Sequence, residues 1–177
     1  LCAYLPDYAA RAVAEQAMMM WVCLLRKLNL QKKSFERFHR EGLTGREIKG
    51  KTIAIIGVGR IGSQVADIAR GLGMKIIGVD IAPQKKTAKK YKFEYFSLDD
   101  ALEKAQIAVC ALPLTGLTRR LLDYERLKKM PKNSIFVNIR PYRIYFPFKS
   151  GDLSEGIWYR LRIRSRASSS FFRSMMI

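Results

Sequence analysis

Histidine is nearly absent from this sequence and cysteine is sparse. His39 is the only histidine in 177 residues, and Cys2, Cys23 and Cys110 fall in no CxxC spacing and leave an odd count. A zinc site of the usual Cys and His spacing and a disulfide framework are both excluded as readings. The thiols read as buried groups in a reducing, cytoplasmic compartment. A lone His reads as a surface or structural residue rather than an acid/base group. Long apolar runs are also missing: Asp7, Arg11 and Glu15 interrupt the opening stretch, which suits neither a signal peptide nor a membrane span.

Acidic residues are scarce, 15 against 33 Lys plus Arg, for a net charge of +18 at pH 7. Such a balance raises the prospect of nucleic acid or an anionic surface as partner, but says nothing about fold. The basic residues of positions 1–138 are scattered, as on a solvated surface, and no nucleic-acid motif accompanies them. Neither nucleic acid nor membrane is therefore an expected partner. What the chain does have is 49% apolar and 27% charged residues, the make-up of one packed domain.

From Tyr8 to about Leu30, Val13, Ala14, Ala17, Met18, Trp21, Leu24, Leu25 and Leu28 recur at spacings of three and four, which predicts one long amphipathic helix over residues 1–30. Met18, Met19, Met20 and Trp21 on it read as core or subunit contact. Residues 31–50 read as a basic connecting excursion, broken by Gly42, Gly45 and Gly50. Then β-rich runs and helical patterns alternate over a core at 51–138. Strands are expected at 52–56, 75–79, 93–96, 107–111 and 134–137, and helices at about 61–72, 98–104 and 124–129. Ser97 with Asp100 marks one helix start and Asp123 another. This alternation predicts an α/β fold, a doubly wound parallel sheet with right-handed crossovers. The tail at 139–177 is basic and aromatic, and its alternation Tyr159-Arg-Leu-Arg-Ile-Arg-Ser-Arg166 suits no element such a fold requires. Its expected origin is a shifted reading frame or an aberrant terminus.

The run Ile56-Gly57-Val58-Gly59-Arg60-Ile61-Gly62 places a GxGxxG directly after a buried strand and at the mouth of a helix. Gly57 permits a tight turn, Gly59 lets backbone approach a pyrophosphate, and Gly62 lets helix and strand pack closely. Helix N–H groups then face the phosphates. Asp80 follows 18 residues after Gly62, at the end of the second strand. A carboxylate there accepts hydrogen bonds from ribose hydroxyls and repels a 2′-phosphate, which favours NAD over NADP. Lys85 and Lys86, close by in sequence, weaken that preference.

These residues, with Ala12-Val13-Ala14-Glu15, Glu47-Ile48-Lys49-Gly50, Gly73-Met74, Ser97-Leu98-Asp99, Leu112-Pro113-Leu114-Thr115, Thr118 and Val137-Asn138, resemble the D-isomer-specific 2-hydroxyacid dehydrogenases, in the family's order over residues 8–138. The resemblance implies a Rossmann-type NAD-binding domain of a two-domain enzyme. Such enzymes are usually homodimers and move a hydride between NAD and a small 2-oxo or 2-hydroxy acid. It implies that Arg60 and Ile61 lie against the pyrophosphate and that Leu112 and Pro113 border the adenosine, with Thr118 in the same loop.

The family's chemistry also needs an Arg to hold the substrate carboxylate, a His to exchange the proton, and an acid to orient that His. Arg140 is the off-register candidate for the Arg: it stands one residue early, with Pro141 at the family's position and no Gly following. No His follows the glycine loop. The chain therefore reads as the central part of a dehydrogenase, most of its substrate domain missing, that binds NAD without full catalytic machinery. The alternatives are an NAD-responsive interaction module and, further off, a basic nucleic-acid binder.

Overall fold

A computed structural model describes residues 9–35 and 41–139, together with the backbone of a strand at 157–160. Six strands form one parallel sheet: β1 (Thr52–Ile56), β2 (Lys75–Val79), β3 (Glu94–Tyr95), β4 (Ile107–Cys110), β5 (Ile135–Asn138) and β6 (Ile157–Arg160). Their order is β3-β2-β1-β4-β5-β6. Ile53 of β1 lies opposite Ile76 on one side and Ile107 on the other, so β1 is the centre from which the chain winds outward both ways. The doubly wound α/β architecture expected from the alternation is the one observed.

Helices cover both faces of this sheet, which is why β4 is buried at every position and β1 at every position after Thr52, rather than at alternate ones. Ile53 and Ile55 point to one side, where α1 (Ala10–Leu25) and α3 (Arg60–Gly71) pack with Ala17, Trp21, Val65, Val109 and Val137. Ala54 and Ile56 point to the other, against Leu102 of α5 (Leu98–Lys104) and Leu127 of α6 (Tyr124–Leu127). Side chains alternate across a strand, so one five-residue strand serves two cores. Both expected helix starts are present. The Ser97 hydroxyl oxygen accepts the Asp100 N–H at 3.2 Å, and Asp123 Oδ1 accepts the Arg126 N–H at 2.9 Å.

The first helix departs from expectation. It ends at Leu25, Lys27 takes a left-handed φ of 54°, and a second helix, α2 (Leu28–Phe35), begins within the stretch expected to continue the first helix and runs on into the excursion. The cause is a contact distant in sequence. The Arg46 N–H donates to the Leu25 carbonyl at 2.8 Å and Lys27 Nζ to the Gly42 carbonyl at 2.7 Å, so the returning chain satisfies the helix end. Gly45 allows the approach, since a Cβ there would lie 2.8 Å from Arg26 Cα.

Three smaller differences have local causes. Helix α4 (Lys85–Tyr91) was not expected, because only Ala88 and Tyr91 of its seven residues turn toward the core. Helix α6 stops at Leu127, where Lys129 and Met130 donate to carbonyls three residues back and tighten the chain into a turn. Strand β6 was not expected either: Ile157–Arg160, within the tail, pairs in parallel register with Ile135–Asn138.

Trp21 is fully buried within the chain, which makes it core rather than a subunit contact, and its indole N–H has no acceptor among the described residues. Cys110 is buried but Cys23 is partly exposed, so burial of the thiols holds for only one of these two; Cys2 and His39 lie outside the described residues. Arg11 bridges α1 to α3, its guanidinium donating to Glu15 at 2.8 Å and Asp67 at 2.9 Å, and those bonds raise it further above its ordinary pKa.

Packing and exposed charge are thus separable. Trp21→Ala should cost about 3–5 kcal/mol in urea denaturation. Trp21→Phe, which keeps most of the volume and removes an unpaired donor, should cost clearly less. Equal losses in the two variants would contradict this account of the α1 core.

Candidate dinucleotide site

The C-terminal ends of β1, β2 and β4 converge at the point where the sheet's winding reverses, the place where open α/β sheets hold ligands. At the end of β1 the Gly57 N–H donates to the Val79 carbonyl at 2.8 Å, and beside it the Ala111 N–H donates to the Ile56 carbonyl at 2.8 Å. Gly57 has a φ of 94°, and a Cβ on it would lie 2.9 Å from Leu112 Cδ2. A side chain there would be both strained and blocked. Leu112 is half-buried, capping the second core on one side and closing over Gly57 on the other.

The other two glycines of the loop differ sharply from one another. A Cβ on Gly62 would stand 2.0 Å from the Gly57 carbonyl oxygen and 3.2 Å from Ile55, so the first turn of α3 rests directly on β1. A Cβ on Gly59 would meet nothing within 4 Å. Gly59 is exposed, it is the N-cap of α3, and no side chain caps that helix. The amino end of a twelve-residue helix is therefore left open beside a residue without a side chain. That cradle fits an anionic group approaching backbone N–H donors. Arg60 is exposed at its rim, and Ile61 is half-buried against the first core.

Asp80 follows β2 and is partly buried. Its Oδ2 accepts the Val58 N–H at 2.7 Å and its Oδ1 accepts the Ala82 N–H at 2.9 Å. The carboxylate thus ties the glycine loop to the end of β2. Nothing in the spacing signalled this bond, although the position of Asp80 did signal a residue close to the loop. Ile81, 93% exposed beside it, is a large apolar side chain that the sequence reading also passed over.

On the β4 side, Thr118 is the pin of its loop. Its hydroxyl donates to the Pro113 carbonyl at 2.6 Å and its oxygen accepts the Thr115 N–H at 2.7 Å. Pro113 is exposed on the same turn. The structure brings Gly57, Gly59, Arg60, Ile61, Gly62, Asp80 and Leu112 to one end of the sheet, with Pro113 and Thr118 in the loop leaving β4. Arg140 lies outside the described residues. Among the described residues no group of three or more His, Cys, Asp or Glu could hold a metal ion, and no helix is long and apolar enough to cross a membrane.

The parallel order and the glycine-lined helix mouth together define a dinucleotide-binding α/β domain. The chain belongs to the D-isomer specific 2-hydroxyacid dehydrogenase family: the family's NAD binding domain matches residues 18–140. It is 35% identical over 144 residues to a glyoxylate reductase of Thermococcus kodakarensis, covering 76% of this chain and 43% of that protein. It is 34% identical over 136 residues to a D-3-phosphoglycerate dehydrogenase of Methanocaldococcus jannaschii, covering 75% of this chain and 26% of the relative. Among solved structures, D-lactate dehydrogenase from Aquifex aeolicus, complexed with NAD and lactic acid, superimposes with a TM-score of 0.75 at 26% identity, over 80% of this chain and 43% of that one. The chain thus spans less than half the length of these relatives.

The two glycines predict opposite phenotypes. Gly62→Ala should lower stability by about 2–3 kcal/mol, because backbone has to give way to the new methyl group. Gly59→Ala should change it by less than about 1 kcal/mol. Urea midpoints of both variants check this, and a destabilised Gly59→Ala beside a neutral Gly62→Ala would contradict it.

Proposed function

We propose that this chain is the cofactor-binding portion of an NAD-dependent oxidoreductase acting on the CH–OH group of a small 2-hydroxy acid, and that it does not turn over by itself. The observation that carries the reading is the open amino end of α3 at Gly59, set beside a carboxylate at the end of the neighbouring strand. Gly57, Gly59, Arg60, Ile61 and Gly62 hold the pyrophosphate, backbone N–H groups supplying the donors and Arg60 a positive charge. Asp80 faces the ribose, and Leu112 and Pro113 border the adenosine on the loop that Thr118 shapes. Bound NAD supplies hydride acceptance or donation at its nicotinamide ring.

Support for a non-catalytic portion comes from the residues themselves. Proton exchange with the hydroxy acid's oxygen needs an acid/base group in reach, and the sequence holds no histidine beyond His39, ahead of the glycine loop. The domain assignment follows the same line: a cofactor core at 51–138, an entry at 1–50, and a basic, aromatic tail at 139–177. A cytoplasmic location and a homodimer complete the proposal. Exposed Leu28 and Leu30 on α2, with Met19 on α1, favour the dimer.

Calorimetric titration of the chain with NADH tests the reading, and a dissociation constant in the micromolar range is expected. Asp80→Ala should weaken binding at least about tenfold, since it removes a ribose acceptor and frees the Val58 N–H. Added glyoxylate, hydroxypyruvate or pyruvate should produce little or no NADH oxidation. Folded protein that stays free of NADH at millimolar concentration overturns cofactor binding. Steady turnover of a 2-oxo acid overturns the claim that the chain is inactive alone.

A further inference from the structure

We propose that the amino end of the sheet, opposite the dinucleotide site, binds the phosphate backbone of a nucleic-acid duplex irrespective of base sequence. The cations concerned are scattered along the chain, and the fold gathers them. Residues 49–51, 70–75 and 89–92 hold seven Lys plus Arg and no Asp or Glu. Hydrogen bonds join these three segments at one corner. The Gly50 N–H donates to the Gly73 carbonyl at 2.9 Å, the Lys75 N–H donates to the Lys51 carbonyl at 2.9 Å, and the Arg70 guanidinium donates to the Lys90 carbonyl. Lys75 opens β2 opposite Thr52 of β1, and Lys92 ends α4 just before β3.

This charge is not neutralised from within. All seven but the half-buried Lys51 are exposed, and none makes an ion pair among the described residues. The neighbouring acids along the chain are Glu47, Asp67 and Glu94. Asp67 is taken by Arg11, and Glu94 lies level with Ile77, farther along β2 than Lys75. Cations in the last turns of α3 and α4 complement the helix dipoles, but Lys49, Lys51 and Lys75 lie outside any helix, so that role does not account for the cluster. Neighbouring strands stand about 4.8 Å apart, so the starts of β1, β2 and β3 span only about 10 Å. A duplex carries one phosphate charge per about 1.7 Å of its axis, and such a face meets several of them at once.

The make-up of the patch selects among polyanions. Membrane surfaces are held by charge together with apolar side chains that enter the lipid. The three segments expose no large apolar residue. Single strands are held by bases stacking on aromatic rings. The one aromatic residue here, Tyr91, is buried. What remains at the surface is mostly lysine, point charges on mobile stems that meet phosphates without reading bases. The dinucleotide cleft lies at the carboxyl ends of the same strands, so the two sites can be filled together.

Fluorescence anisotropy of a labelled DNA duplex of about 20 base pairs, titrated with the full chain at several salt concentrations, tests this. Binding in the micromolar range is expected at about 50 mM salt, equal for duplexes of unrelated sequence and little changed by saturating NADH. The triple variant Lys49→Ala, Lys75→Ala, Lys89→Ala should weaken it at least about tenfold and lower the slope of log affinity against log salt by about two to three. A control of the same net charge, Lys32→Ala, Lys33→Ala, Arg119→Ala, should weaken it less than about threefold. Unchanged circular dichroism checks the fold, and Lys49→Gln, Lys75→Gln, Lys89→Gln repeats the test should the alanine variant fail to fold. Absence of duplex binding at about 50 mM salt, or equal losses in the patch and control variants, overturns the inference. Tighter binding of a single strand of the same length also overturns it, as does displacement of the duplex by NADH. Binding of phosphatidylserine-containing vesicles in place of the duplex assigns the surface to a membrane and overturns it too. None of these results bears on the cofactor reading, which NADH titration decides separately.

Discussion

A side chain that is not there organises this molecule. Any Cβ on Gly62 would collide with the Gly57 carbonyl oxygen at 2.0 Å, so only glycine lets α3 sit down on β1. From that contact follows the direction of α3, the exposure of its amino end at Gly59, and the burial of Val65, Ala66 and Ala69 against the sheet. The site is therefore a by-product of packing. The constraint that brings helix to strand also leaves N–H donors facing outward, at the edge where β1 and β4 part.

Charge is arranged around this opening on two scales. Close in, Asp80 spends its oxygens on Val58 and Ala82, which joins the loop to the end of β2 and keeps the helix mouth in one shape. Farther along the chain, α4 carries Lys85, Lys86, Lys89 and Lys90. One acid among many bases makes the rim attractive to anions while keeping a defined acceptor inside it. On the opposite side Leu112 and the turn pinned by Thr118 supply an apolar wall, held by hydrogen bonds internal to the loop.

Much of this was legible in the residues, for identifiable reasons. Strands β1 and β2 are short apolar runs with glycine turns at their ends, and their bounds agree with the sequence expectation. Helix α5 is capped by Ser97, because a hydroxyl three residues before an acid is a local device, readable without the fold. Illegible features depend on distant partners or on weak patterns. The break after Leu25 comes from Gly45 and Arg46, about twenty residues on, while Leu28 continues the apolar spacing as though the helix ran through. Helix α4 hides because Lys-Lys-Thr-Ala-Lys-Lys-Tyr has only two positions facing inward. Strand β6 hides because β5, its neighbour among the described residues, lies beyond a stretch of unfamiliar composition. At the site, the positions of Gly57, Gly59, Gly62 and Asp80 could be read from spacing, but the bond from Asp80 back to Val58 could not.

The central claim is that the open amino end of α3 receives a dinucleotide pyrophosphate. Its most direct test is a nuclear magnetic resonance titration of the isotope-labelled chain with NADH, following backbone amides. The account predicts that the amides of Val58, Gly59, Arg60 and Ile61 shift together with Ala82, in a saturable manner, while those of β5 stay in place. Shifts that bypass the glycine loop, or that appear only on the lysines of α4, would contradict it.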